Sequence, residues 1–167
     1  VYFKGTWQTA FPRAATGELP FSLADGGRVQ VPLMNLTASL RYRAAPTFQA
    51  LELPYRGGRV SMIVLLPRRV GATAEVERLL EPRRLERLLG AMPRRMVEVY
   101  LPRFGASHDL GLTALLQGMG VKDAFTERAD FSGIDGTRRL FLQAVLHRAR
   151  VDVNEEGTEA AAATGVF

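Results

Sequence analysis

Ser107, His108 and Asp109 stand side by side and carry the three groups of an acyl-transfer triad. These are a hydroxyl nucleophile, an imidazole base and a carboxylate to orient it. Their adjacency defeats that chemistry. Neighbouring residues cannot generally turn their side chains toward one another, and triads are made by geometry rather than by adjacency. The run reads instead as a loop in which Asp109 caps a following helix. The chain has 2 histidines, His108 and His147, and 0 cysteines, with no carboxylate cluster near either imidazole. Metal-ligand spacing is therefore absent. The glycine pairs lie between strand-like runs and not at a strand-to-helix turn, so no phosphate cradle is read. These residues predict no enzyme, no cofactor and no metal.

A second pattern is one of size rather than reactivity. Residues 154–165 read Asn-Glu-Glu-Gly-Thr-Glu-Ala-Ala-Ala-Ala-Thr-Gly. In an extended chain Thr158, Ala160, Ala162 and Thr164 share one face, and Glu159 falls on the other. Such a segment can enter the middle of a sheet without burying a charge. The same letters have another reading. Glu159 to Ala163 are good helix formers and can begin a terminal helix.

The elements that would position these residues follow from periodicity. Asp25-Gly26-Gly27 and Arg56-Gly57-Gly58-Arg59 are turn signals between strand-like runs. Leu51, Leu53 and Tyr55 alternate before the second turn. Val60 to Leu66 is apolar after it except for Ser61. The pair predicts a hairpin whose second strand is buried on both faces. Thr73 is placed to cap a helix with Val76, Leu79 and Leu80 inward. Pro82 is placed to start another with Leu85, Leu88 and Leu89 inward. Met96 to Leu101 returns to period two, with Val97, Val99 and Leu101 on one face. Leu112, Leu115, Leu116 and Met119 have helical spacing, with Gly120 as the stop. From Leu140 to Val153 the pattern predicts one long strand. His147, Ala149, Val151 and Val153 lie on its covered face, and Arg148, Arg150 and Asp152 on its wet face. Short helices among antiparallel hairpins, without a βαβ rhythm, place the chain in the α+β class.

The 167 residues suit one domain and can bury a core. The net charge is +5. It reads either as attraction to an acidic partner or as an arginine-rich solvated surface. No apolar run reaches membrane-spanning length, and no signal peptide is visible. Neither a nucleic acid nor a membrane is an expected partner. Asn35-Leu36-Thr37 has the pattern of a glycosylation sequon.

Several motifs stand in a telling order. Val1-Tyr2-Phe3-Lys4-Gly5-Thr6-Trp7 comes first, then Leu53-Pro54-Tyr55 with Ser61-Met62-Ile63-Val64-Leu65-Leu66-Pro67. Leu101-Pro102-Arg103-Phe104, Met119-Gly120-Val121, Asp123-Ala124-Phe125 and Ala129-Asp130-Phe131-Ser132-Gly133-Ile134 follow. His147 then precedes Ala149-Arg150-Val151, and the alanine-rich tail closes the series. Together they resemble the serpin family of serine protease inhibitors over essentially the whole chain.

The resemblance implies a serpin-like α+β fold of mainly antiparallel sheets with a few short helices. It implies that residues 1–167 are part of a serpin domain, without the N-terminal helical part and the C-terminal strands. Residues 155–167 would be the proximal hinge of the reactive-centre loop, with Glu155, Glu156, Gly157, Thr158, Glu159, Ala160, Ala161, Ala162, Ala163 and Thr164 as its core. Trp7, Arg103 and Glu155 match the breach, where the loop first enters sheet A. His147 matches the shutter beneath that sheet. Taken alone, Arg103 and Glu155 are ordinary surface charges and His147 an ordinary core histidine. Arg83, Arg84, Arg87, Arg94 and Arg95 cluster around the second short helix, which in some serpins binds heparin-like polyanions. A solvated face is the plain alternative.

The activity implied is inhibition of a serine-type endopeptidase, with cysteine proteases as a further target class. The protease would be trapped covalently by insertion of the cleaved loop into sheet A. The protein would be secreted and not an enzyme. A non-inhibitory carrier or chaperone, or an interaction domain that never inserts a loop, are the alternatives. No bulky, charged or proline residue occurs from Ala160 to Thr164, which favours insertion. Alone, the chain would leave apolar faces such as Val60 to Leu66 without partners and prone to association.

Overall fold

A computed structural model describes residues 2–78 and 80–166. Val1 of the first motif, Leu79 of the expected helical stripe and Phe167 at the end of the expected hinge lie outside the described residues. The chain divides into two compact units, residues 4–104 with 153–158, and residues 2–3, 105–152 and 159–166.

The larger unit is built on strand β3 (Arg28–Ala44), whose 17 residues pair with three others. Strand β2 (Gly17–Ser22) pairs antiparallel with its start. The turn between them closes on the Leu23 amide donating to the Gly27 carbonyl at 2.8 Å, with Gly26 at φ +88°. This is the predicted Asp25-Gly26-Gly27 turn, and the positive φ is why glycine is needed there. Strand β4 (Phe48–Pro54) pairs with the end of β3, and β5 (Ser61–Pro67) pairs with β4. Gly57 and Gly58 turn this hairpin at φ +86° and +66°.

The burial within the hairpin differs from expectation. Strand β4 is covered on both faces, with Phe48 and Ala50 on one and Leu51 and Leu53 on the other. Strand β5 is only half-buried, and Leu66 is 53% exposed. The reason is position. Among the described residues the strand order is β2–β3–β4–β5, in which β5 is terminal and β4 is not.

Helices α1 (Thr73–Glu77) and α2 (Pro82–Gly90) cover the Phe48–Ala50 face. Val76, Leu88 and Met92 form one buried cluster with Phe48 and Ala50, flanked by Leu65, Leu85 and Leu89. Each such side chain contributes about 1.5–3 kcal/mol when buried. Pro82 occupies the first turn of α2 as expected. Thr73 does not cap α1: Ala72 stands at the cap and no side chain bonds there, so Thr73 is the first helical residue. Leu80 is exposed rather than inward, because α1 ends at Glu77 before reaching it. Arg41 closes the other end of α2, donating to the carbonyls of Leu89 and Met92 and pairing with Glu52 at 3.0 Å. A cation at the last carbonyls of a helix meets their partial negative charge.

Strand β6 (Arg94–Pro102) pairs antiparallel with β3 from Arg41↔Arg94 to Leu33↔Pro102. Val99 and Leu101 are buried on the predicted face. Asn35 of the sequon lies inside β3 and donates its amide to the Val99 carbonyl at 3.3 Å. A strand interior makes it a poor acceptor of a bulky glycan.

The smaller unit contains most of a second sheet. Its strands are β1 (Tyr2–Thr6), β7 (Phe104–Gly111), β8 (Val145–Val153) and β9 (Gly157–Val166), in the order β1–β9–β8–β7. Three expectations change here. Ser107, His108 and Asp109 belong to β7 and not to a loop. Asp109 caps nothing, since its carboxylate accepts two 2.7 Å hydrogen bonds from Arg148 of β8. A bidentate guanidinium is a stronger partner than the amides of a helix end. The last strand begins at Val145 and not at Leu140, because the Leu142 amide turns aside to the Ala124 carbonyl at 2.9 Å. Between these strands, α3 (Thr113–Gly118) ends before Gly120 at φ +101°, the predicted stop. A one-turn helix α4 (Ser132–Asp135) closes on Gly136 at φ +76°.

Candidate functional site

The tail is a strand, and the helical reading does not hold. In the larger unit its foot is a tight reversal. Asn154 and Gly157 bond both ways, amide to carbonyl, at 3.0 and 3.3 Å. The Asn154 side chain accepts from the amides of Glu156 and Gly157 at 2.9 and 3.2 Å. Asparagine suits such a turn because its side chain mimics a backbone acceptor.

Trp7 packs against this reversal. It is 2% exposed, stacks on Tyr55 at 4.7 Å and meets Phe11 edge-on at 6.3 Å. Its Nε1 donates to the Asn154 carbonyl at 2.8 Å, and its amide to the Glu156 carbonyl at 2.9 Å. The Phe11 amide donates to the Glu155 carbonyl at 3.0 Å.

Glu155 is 5% exposed, which is rare for a carboxylate. Its Oε1 accepts from the Thr16 hydroxyl at 2.8 Å, and Arg103 Nη1 lies 3.6 Å away. Burial pushes its pKa up, but its own backbone amide, Thr16, Arg103 and Arg13 together outweigh that and hold it below the usual glutamate range. The three residues that the serpin resemblance assigns to the breach thus meet around one turn. Thr16 and Phe11 were missed, since neither carries a sequence signal. Arg13 was missed too; it pairs with exposed Glu156 at 2.6 Å. A pair in open water contributes little.

Gly157 carries a constraint that its place in the motif conceals. A Cβ there would stand 2.0 Å from the Gly5 carbonyl oxygen and 2.9 Å from the Thr6 Cα. Only glycine permits that approach of two backbones. The signal available was an isolated glycine inside a strand pattern. Thr158 follows, and it is buried. The nearby Tyr55 phenol feels it: burial raises the phenol's pKa, and the Thr158 hydroxyl partly offsets the rise.

Within the smaller unit, β9 alternates as its small residues require. Ala160 and Ala162 are half-buried, while Glu159, Ala161 and Ala163 are exposed. The alternation slips at the end, where Thr164 is exposed and Gly165 half-buried. The Thr164 hydroxyl instead meets His147 Nδ1 at 2.9 Å. His147 itself lies half-buried on the covered face of β8, as its alternation predicts. Glu159 accepts a 2.9 Å hydrogen bond from the Tyr2 hydroxyl.

A groove of about 320 Å³ is lined by Arg84 and Arg87 of α2, with Arg43, Ala45, Phe48 and Leu88. Arg83 contributes its carbonyl to Arg87 Nε at 3.2 Å. Arg94 and Arg95 stand on β6 outside that lining, and Arg94 donates to the Ser39 carbonyl at 3.1 Å. Arg43, distant in sequence, takes their place. Among the described residues no cluster of His, Cys, Asp or Glu could hold a metal ion. No helix among them is long and apolar enough to cross a membrane.

A sheet in which the terminal segment is an interior strand, with a buried carboxylate and a tryptophan at that strand's foot, defines a narrow class. The family model described as "Serpin (serine protease inhibitor)" matches residues 1–167. Human Serpin B11 is 41% identical over 170 residues, covering 99% of this chain and 43% of that protein. A lamprey angiotensinogen cleaved in its reaction loop superposes with a TM-score of 0.89 at 34% identity, over 99% of this chain and 50% of that one. A loop-inserted structure of a cleaved ovalbumin mutant also gives 0.89, at 30% identity, over 98% of this chain and 44% of that one. The chain belongs to the serpin family. It spans less than half the length of the curated relatives it matches.

Proposed function

We propose that the protein carrying this chain inhibits a serine-type endopeptidase by inserting its cleaved reactive-centre loop, with residues 155–167 as the proximal hinge. The observation that supports this most directly is the place of β9, between β1 and β8. The segment has the dimensions of an added strand: Thr158, Ala160 and Ala162 face inward, and its one charged side chain, Glu159, faces out. Backbone hydrogen bonds on both edges would stabilise it, each by about 0.5–1.5 kcal/mol net. Strand addition coupled to released strain is the general physics of such a device. The protease's nucleophile would attack the scissile carbonyl beyond residue 167, forming an ester and freeing the new amino terminus. Insertion would then carry the acylated protease away from its working geometry.

In this reading Trp7, Arg103 and Glu155 form the breach and His147 the shutter. The working partner is a protease, serine or cysteine in type, met outside the cell. The groove beside Arg43, Arg84 and Arg87 supports a weaker second partner, a heparin-like polyanion.

The test uses the full-length protein. Nicked beyond residue 167, it should rise sharply in thermal resistance, and with its cognate protease it should form a complex stable to denaturant. A nicked form no more resistant than the intact one would defeat the reading. Increased resistance without any covalent complex would leave a carrier or chaperone that inserts its loop.

A further inference from the structure

We infer that Glu159 is a positioning residue that fastens the inserted strand from the solvent side, by accepting a hydrogen bond from the Tyr2 hydroxyl of the neighbouring strand. This rests on the insertion reading above. Glu159 is the one charged residue between Gly157 and Val166. The other members of the strand are chosen for smallness, and a glutamate among them needs its own account.

Its carboxylate is engaged on the side of β1. The Tyr2 hydroxyl of β1 donates to Glu159 Oε1 at 2.9 Å. In the strand order β1 and β8 are the two neighbours of β9. A carboxylate delivered by β9 therefore ties that strand to β1 across its exposed face. The groups are exposed, so the clamp is weak and acts on the durability of the inserted state.

The experiment is a double-mutant cycle in the full-length protein, using Glu159→Ala, Tyr2→Phe and the pair, each intact and nicked beyond residue 167. The readout is the unfolding rate in denaturant. In the nicked form each single variant should unfold up to about fivefold faster than wild type. The pair should be no faster than the worse single. In the intact form all four proteins should unfold alike. Additive effects in the nicked form, or equal effects in both forms, overturn the clamp alone. If nicked wild type gains no resistance, the insertion reading fails and the clamp fails with it.

Discussion

Trp7 donates its indole N–H to the Asn154 carbonyl at 2.8 Å, tying a buried ring to the turn from which the last strand departs. The ring is also stacked on Tyr55. Trp7→Ala removes both the bond and the volume and should cost about 3–5 kcal/mol, the range for large aromatic deletions. Trp7→Phe keeps part of the stack and loses the bond, so it should cost less. Denaturant melts of the two variants check the ranking. Equal losses would mean that the volume of the ring does not contribute beyond the indole bond.

Glu155 gives a pH dependence whose sign is determined. Its folded pKa lies below the ordinary glutamate value. The stability it contributes is therefore fully present above that ordinary value, about 4.3. It is lost as pH falls through the folded pKa. Glu155→Gln should flatten the acid limb of a stability–pH profile and cost about 1–2 kcal/mol near pH 7, since charged hydrogen bonds exceed neutral ones. An unchanged acid limb in the variant would assign acid sensitivity to other groups.

Gly157→Ala should block the start of β9, because the added methyl would meet the Gly5 carbonyl within van der Waals contact. The nicked full-length variant should stay as heat-labile as the intact one. Thr158→Arg should give the same phenotype by a different cause, an unpaired charge carried into a buried site. With protease, each variant should be cleaved as a substrate and released. A stable covalent complex from either would contradict insertion at this foot.

His147 and Thr164 test the far end of the strand. Their 2.9 Å contact survives only with the strand in place. His147→Asn shortens the side chain and moves its polar group away from Thr164, so it should change the rate of spontaneous insertion relative to wild type. The same rate in both proteins would remove His147 from the mechanism.

The arginine groove has a separate measure. Arg84→Ala with Arg87→Ala should lower the salt needed for elution from immobilised heparin. Arg94→Ala with Arg95→Ala should change it less, because these two stand outside the groove lining. Equal shifts would mark a diffuse basic surface rather than a site.

Period-two and period-3.6 patterns carried most of the fold, because they record only which side of an element meets the core. Val97, Val99 and Leu101, or Leu85, Leu88 and Leu89, needed nothing more. The glycine-led turns at Gly26, Gly57 and Gly120 were equally legible, since a positive φ is a local demand. Partnership across the chain was not legible. Asp109 looks like a helix cap until Arg148 stands opposite it, and Val60 to Leu66 looks doubly buried until β5 proves to be terminal in its sheet. The small residues from Thr158 to Ala162 state that a strand could be buried. Only the tertiary structure decides that it is, between β1 and β8, and that Gly157 must be glycine because Gly5 comes so near. A sequence records each residue's own preference for a conformation and an environment. The identity of the neighbour is a property of the folded chain, and at this site the neighbour decides what each residue does.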